Sequence, residues 1–287
     1  MKLVTFEHEG ETRIGALVDG ERVVDLARVE PRLPKDMLSL LAGGAETLAL
    51  ARSAIANAPA AAQLARSAVT LKAPIPRPGK IICIGLNYRD HAAESNLPLP
   101  SFPTVFAKYA NVVVGPGEAI VLPKVTAEID YEGELAFVIG RMAKNVAEAD
   151  ALDYVAGYVP FNDISARDYQ MRTSQWTVGK TFDTFGPMGP ALVTADEIPD
   201  PHNLTISLSI DGEVLQSSNT RHLIFNVPQL IADLSAVMTL EPGDLISTGT
   251  PAGVGMARTP KRWLRAGETV RLEIEKLGVL ENPVVAG

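Results

Sequence analysis

The chain has 287 residues, enough for one large domain or for one with a small appendage, and a formal net charge of −8. Its 46% hydrophobic and 21% charged residues are those of an ordinary globular protein, and its dispersed basic residues exclude a nucleic-acid footprint. The first residues hold no apolar stretch of signal-peptide length, and no run of about 18 apolar residues occurs anywhere, so no membrane span is expected and a cytoplasmic protein is the default.

Residues 1–27 alternate in polarity and predict strands over 3–6, 13–18 and 22–26, with Asp19-Gly20 as a hairpin signal. Residues 36–68 are rich in Ala and Leu and predict two helices, broken at Gly43-Gly44 and near Pro59. Together, residues 1–71 read as a small α+β N-terminal domain. Pro74, Pro76 and Pro78 then fall within eight residues, which no helix survives, and they place a boundary before a second domain over 72–287.

From Lys80 onward short strands alternate with Pro/Gly turns. Strands are predicted over 81–84, 112–114, 120–122, 131–139, 154–161, 191–193, 204–210, 245–248 and 270–274. Asp211-Gly212 marks a second hairpin, and one longer helix fits 227–238. The lone cysteine, Cys83, sits in the apolar run 80–85 and reads as core; it excludes an intrachain disulfide and a multi-cysteine zinc site. There is no βαβ alternation, so a mixed α/β, β-rich roll or sandwich with a few covering helices is expected rather than a doubly wound sheet.

The stretch around which the rest is organised is Asp130-Tyr131-Glu132-Gly133-Glu134-Leu135-Ala136-Phe137-Val138-Ile139-Gly140. In a strand, Glu132 and Glu134 share a face with Ala136 and Val138, while Leu135, Phe137 and Ile139 share the other. Both faces turn apolar just past the acids, so two carboxylates stand at the mouth of a strand buried on both sides. A hard divalent cation answers that charge, and a frayed strand end with solvated acids is the plainer alternative.

Four other groups invite a chemical reading. In Asn87-Tyr88-Arg89-Asp90-His91-Ala92-Ala93-Glu94, His91 and Glu94 are i,i+3 neighbours on a helix, a spacing that suits a carboxylate-oriented general base or a solvated pair. Asp163 lies at a strand-to-helix junction, as a pocket residue or a helix cap. Ser165 and Asp168 resemble an acidic capping box, and Arg167 and Gln170 share a helix face that would suit a substrate carboxylate. Lys180 stands between a glycine and a β-branched residue, placed to neutralise anionic charge or to lie on the surface. The loop 249–255, with Thr250, lacks the Gly-Lys-Ser/Thr ending of a phosphate loop; it is an anion-binding loop or a plain turn.

In their order, Asn-Tyr-x-Asp-His-x-x-Glu, Glu-x-Glu, Asp-x-x-Ala-Arg-Asp-x-Gln, Gly-Lys-x-Phe-Asp and Gly-Asp-x-Ile-x-Thr-Gly-Thr-Pro-x-Gly-Val-Gly closely resemble the fumarylacetoacetate hydrolase superfamily, from about Lys80 to about Val284. The resemblance implies a mixed β-roll, usually a homodimer, with Mg²⁺ or Mn²⁺ held by Glu132, Glu134 and Asp163. It further implies a catalytic His91–Glu94 pair on a lid over about 90–104, a catalytic Lys180, and substrate contacts at Arg167, Gln170 and Thr250. The additional aspartate ligand of the fumarylacetoacetate enzymes has no counterpart in Ile84-Gly85-Leu86-Asn87, which points to the acylpyruvase-like and sugar-acid diketone branches. The implied activity is metal-dependent hydrolysis of a carbon–carbon bond in a 2,4-dioxo acid. Decarboxylation or isomerisation of a 2-oxo acid at the same site is the alternative, and a non-catalytic small-molecule binder the remote one. Selection of the substrate tail is expected in the lid and around Tyr109, Asn111 and Gln175.

Overall fold

The computed structural model describes residues 1–287 and is strand-rich with few helices, a mixed α/β architecture. Its larger sheet has eleven strands. The order along its path is Gln63–Ala65, Arg22–Asp25, Glu11–Val18, Lys2–His8, Leu192–Thr194, Val155–Asn162, Gly133–Ile139, Leu245–Ser247, Ile81–Gly85 and Thr104–Lys108, and Thr70–Lys72 also pairs with Lys2–His8. The N-terminal strands therefore join the same sheet as the rest, through the antiparallel pair Leu3–Leu192. A five-stranded sheet runs Glu213–Asn219, Thr205–Ile210, Thr269–Ile274, Gly278–Ala286 and Ile120–Leu122.

Both Asp-Gly pairs take positive φ, as their turns require, at 48° and 79° for Asp19-Gly20 and 50° and 87° for Asp211-Gly212. The second is a two-residue hairpin between Ile210 and Glu213; the first is a three-residue loop between Val18 and Arg22. The helix Val227–Val237 opens on a capping box, in which Asn226 and Gln229 each satisfy the other's backbone N–H. It buries Val227, Leu230, Ile231 and Leu234 along one stripe.

Four expectations change. Helix was expected up to residue 68, but past Pro59 the chain makes 3₁₀ turns around the strand Gln63–Ala65, which pairs with Arg22–Val24. The strand Gly278–Ala286 went unrecognised because Glu281-Asn282-Pro283 interrupts its apolar pattern. Asn282 is buried there, and its amide donates to the Gly115 and Glu118 carbonyls. The capping box at Ser165 does not form: the Ser165 hydroxyl donates to the Asp163 carbonyl, and Ala166 is the N-cap of Arg167–Gln170. Finally, the strand expected over 131–139 begins at Gly133, so Tyr131 and Glu132 lie between Ile129–Asp130 and Gly133–Ile139. From Gly133 to Ile139 every residue is buried, as a strand covered on both faces must be.

Candidate active site

The antiparallel register of Gly133–Ile139 with Val155–Asn162 assembles the acidic centre. Gly133 lies opposite Asn162, so Glu132 and Asp163, the next residue on each chain, are brought side by side. Two bonds fasten that corner: the Asp163 N–H donates to the Glu132 carbonyl at 2.9 Å, and the Glu132 N–H donates to the Asn162 amide oxygen at 3.1 Å. Glu134, two residues on, points to the same face. The result is a cluster in which carboxylate oxygens of Glu132, Glu134 and Asp163, all buried, lie within 4.8 Å of one another. Gly133 between the two glutamates has no room for a side chain, since a Cβ there would lie 2.8 Å from Leu272 Cδ1 on the second sheet. That contact seats the smaller sheet directly behind the acids.

Three buried cations surround the cluster. Lys180 Nζ donates to Glu132 at 2.6 Å and to Asp163 at 2.9 Å. Lys108 Nζ donates to the other Asp163 oxygen at 2.5 Å and to the Ile164 carbonyl at 3.0 Å. The Arg167 guanidinium is shared among Glu132 (2.7 Å), Asp130 (2.8 Å) and the Gln170 amide oxygen (2.9 Å). Burial pushes the Glu132 carboxyl up, but Arg167 and then Lys180 outweigh it and hold the group below the carboxylate range. Glu134 has no cation of its own. Burial first, then the Asp163 and Glu132 charges, drive it well above that range, against donation from Ser247 Oγ at 2.5 Å. An acid in that position is ionised at neutral pH when a cation sits beside it, so three hard oxygen donors with unbalanced charge fit a divalent metal.

The loop after Leu245–Ser247 binds anions, and those anions are the protein's own carboxylates. Gly249 N–H donates to Glu134 at 2.9 Å, Gly253 N–H to Glu94 at 2.8 Å, and Gly255 and Met256 N–H to Asp130 at 2.6 and 3.0 Å. Gly249 and Gly253 reach those positions with φ of 97° and 107°, open only to glycine. The Thr250 hydroxyl donates to the Gly133 carbonyl at 3.1 Å and accepts from Gln216 at 2.8 Å, which ties this loop to both sheets.

His91 and Glu94 lie on the short helix Arg89–Glu94, and His91 Nδ1 is 3.1 Å from Glu94 Oε2. The neighbouring Asp90 accepts from Ser218 Oγ at 2.5 Å, so both acids of this helix are docked on the body of the protein. A cavity of about 480 Å³ lies between this helix and the acidic cluster. His91, Glu94, Glu132, Glu134, Arg167, Gln170, Lys180 and Thr250 all line it. Eight of the nine expected site residues therefore face one space, and the ninth, Asp163, lies behind Glu132 as a partner of both lysines. Tyr109, Asn111 and Gln175 do not line it. Its remaining wall includes Leu97, Phe106, Met171 and Trp176.

Lys108 and Asp130 were not anticipated. Lys108 closes the edge strand Thr104–Lys108, where a lysine reads as edge protection; only its pairing with a residue 55 positions away shows otherwise. Asp130 was legible in principle, since Asp130, Glu132 and Glu134 alternate along one extended stretch.

The family model described as fumarylacetoacetate (FAA) hydrolase C-terminal matches residues 80–285. The chain belongs to the fumarylacetoacetate hydrolase family. It is 49% identical over 292 residues to the mitochondrial oxaloacetate tautomerase Fahd2a of Rattus norvegicus, covering 99% of this chain and 92% of that one. It is 48% identical to the corresponding tautomerase of Xenopus laevis, covering 99% and 90%. Among solved members of the fumarylacetoacetate hydrolase family, the enzyme of Exiguobacterium antarcticum superposes with a TM-score of 0.88 at 35% identity, covering 100% of both chains. Maleylpyruvate hydrolase from Sphingobium sp. SYK-6, in complex with manganese(II) and pyruvate, does so with 0.84 at 33% identity, covering 100% of both. Family membership makes the protein an enzyme acting on small molecules, and the acidic cluster together with the manganese complex supports divalent-metal binding.

The cytoplasmic expectation is corrected by these relatives, which are named as mitochondrial proteins. It rested on the lack of an apolar leader, which bears only on secretion; mitochondrial leaders are amphipathic and Arg-rich and leave no such signature. No helix is long and apolar enough to cross a membrane.

Proposed function

We propose that the protein interconverts the enol and keto forms of a small 2-oxo acid of the oxaloacetate type, using a divalent metal, Mg²⁺ or Mn²⁺, held by Glu132, Glu134 and Asp163. The observation that carries this reading is that a carboxylate-oriented histidine and two acids of a three-carboxylate cluster, Glu132 and Glu134, line one cavity. Tautomerisation needs only a group to move a proton and a positive environment for the oxygen that gains charge, and this cavity supplies both. Two mammalian-to-amphibian relatives named as oxaloacetate tautomerases, similar over 99% of this chain, support that reaction over a more demanding one.

When bound, the metal would act as a Lewis acid that lowers the cost of negative charge on the keto oxygen. The chain's own groups do the rest. Glu94, fixed by the Gly253 N–H, holds the His91 Nδ1–H and leaves Nε2 as the free ring nitrogen to remove and return the proton on C3. Lys180 adds fixed positive charge beside Glu132 and Asp163. Arg167 and Lys108 act through the cluster: their hydrogen bonds orient Glu132 and Asp163.

Hydrolysis of a 2,4-dioxo acid is the second reading, supported by the likeness to maleylpyruvate hydrolase. Absorbance of the oxaloacetate enol, followed with enzyme plus Mg²⁺ and with enzyme plus chelator, separates the two when pyruvate is assayed in parallel. Faster metal-dependent equilibration without pyruvate is the expected result. Pyruvate released in step with loss of acetylpyruvate, with no effect on the oxaloacetate enol, would replace tautomerisation by hydrolysis.

A further inference from the structure

Asp130 is fully buried and does not line the cavity, yet parts of the cavity wall are fastened to it. Its Oδ1 accepts from the Tyr131 N–H at 2.9 Å and the Gly255 N–H at 2.6 Å. Its Oδ2 accepts from the Met256 N–H at 3.0 Å and from Arg167 Nε at 2.8 Å. Met256 and Arg167 both line the cavity, so one carboxylate holds a loop and a guanidinium of its wall together. The guanidinium has donors only, and all three of its nitrogens are used: Nε on Asp130, Nη2 on Glu132 and Nη1 on the Gln170 amide oxygen. Gln170, three residues on in the helix Arg167–Gln170, must therefore turn its oxygen toward Arg167 and its NH₂ away. That nitrogen donates to no protein group. Since Tyr88 Oη is the one enclosed side-chain polar atom without a partner, the Gln170 nitrogen is open to solvent, and the space Gln170 opens on is the cavity it lines.

From this chain of bonds we infer that Asp130 is a positioning residue for the substrate. Through Arg167 it fixes the Gln170 amide with its NH₂ toward the cavity, where it donates to an oxygen of the anionic 2-oxo acid. The inference rests on the proposed 2-oxo acid chemistry and adds to that same site a residue the substrate does not touch. Freed from Asp130, Arg167 can turn its whole fork onto Glu132, the bidentate arrangement that a guanidinium and a carboxylate favour, and the Gln170 oxygen then loses its donor. The amide is left to rotate about its last bond and presents oxygen to an anion as readily as nitrogen. Asparagine cannot stand in for Asp130. Each oxygen accepts two N–H groups, so either orientation of an amide there sets an NH₂ against two donors. The conflict is relieved most easily at Oδ2, where Arg167 is a side chain able to move; both donors at Oδ1 are backbone.

Calorimetric titration of pyruvate into protein held at saturating Mn²⁺ tests the inference without relying on turnover. Loss of a hydrogen bond to a charged group predicts that Gln170→Ala weakens pyruvate binding about tenfold, and Asp130→Asn by a similar factor. Both act on one bond, so the double variant should bind about as weakly as either single variant, where independent losses would multiply to about a hundredfold. Gln170→Glu keeps an oxygen for Arg167 and puts a second oxygen in place of the NH₂, so it should weaken pyruvate binding more than Gln170→Ala does. Thermal melts show which variants are folded, and Asp130→Ser, which removes the charge without adding an NH₂, repeats the comparison if Asp130→Asn is not. Unchanged pyruvate binding in a folded Asp130 variant, multiplied losses in the double variant, or full binding by Gln170→Glu overturns the inference. Oxaloacetate tautomerisation by the unaltered protein reports on the reaction separately. If it occurs and the losses multiply, only the inference fails; if the losses are shared without it, the reaction proposed above fails and Asp130 keeps its role. An unaltered protein that takes up no pyruvate contradicts both.

Discussion

Glu134 is the acid of the cluster that the protein's own cations leave least compensated. It is buried, faces two like charges, and receives only the Ser247 hydroxyl and the Gly249 N–H. Around Asp163, by contrast, two lysines converge. Replacing Lys108 by Met leaves one Asp163 oxygen with no cation in a buried site, a loss of about 3–5 kcal/mol by analogy with broken buried pairs. Denaturant unfolding of the chelated variant should read a loss of that order, and one near zero would mean that Lys180 alone suffices. Replacing His91 by Ala should cut turnover about 10²–10⁴-fold, the ordinary general-base contribution, with metal binding unchanged. Steady-state rates paired with Mn²⁺ titration check both halves. Glu132 and Glu134 stood out because two acids open a strand that is otherwise apolar, whereas the roles assigned to His91, Glu94, Asp163 and Lys180 came only from the resemblance of their motifs to the family. Lys108 gave neither signal, because its burial follows from how the edge strand Thr104–Lys108 meets Asp163, a contact no local pattern records.

At the scale of elements, the strands with strong alternation and the Asp-Gly turns were readable, since each is encoded within a few residues. Gln63–Ala65 and Gly278–Ala286 were not: one is strand because Arg22–Val24 offers it an edge, the other despite Asn282 and Pro283 in its middle. The Glu-Gly-Glu junction shows how local sequence and packing meet. Gly133→Ala would press a methyl group into Leu272, and a cost of about 1–3 kcal/mol is expected from such overpacking, read as a lower denaturation midpoint. The helix Val227–Val237 carries a pH dependence of its own. Its first N–H donates to His202 Nε2 at 3.2 Å, which requires a neutral ring. Burial lowers the His202 pKa from its ordinary value of 6.5, against a smaller opposing effect of Asp200. A depressed histidine contributes its stability fully above that ordinary value and loses it as the pH falls below it and through the lowered folded-state value. Thermal melts between pH 8 and 5 should therefore show a fall that begins near about pH 6.5 and continues below it, and that His202→Gln reduces. An identical profile for the variant would remove His202 from the account.

For the whole molecule, the register that pairs Glu132 with Asp163, the loop that holds Glu134, Glu94 and Asp130, and the helix that carries His91 converge on one cavity. Metal binding and stability are then linked. Without metal, the raised Glu134 pKa means that stability is fully present at low pH and is lost as the pH rises through that raised value. A bound divalent ion reverses this by favouring the ionised acid, and it stabilises the folded state by mass action. Chelation should thus lower the melting temperature, and by more at pH 8 than at pH 6; a pH-independent difference would speak against Glu134 as a ligand. The most direct test of the central claim is proton exchange at C3 of oxaloacetate in deuterated water, followed by nuclear magnetic resonance. The account predicts that the protein with Mg²⁺ speeds loss of the C3 proton signal with no pyruvate formed, and that chelator or His91→Ala abolishes the effect. Exchange at the uncatalysed rate, or C3 signal lost only as pyruvate accumulates, would contradict it.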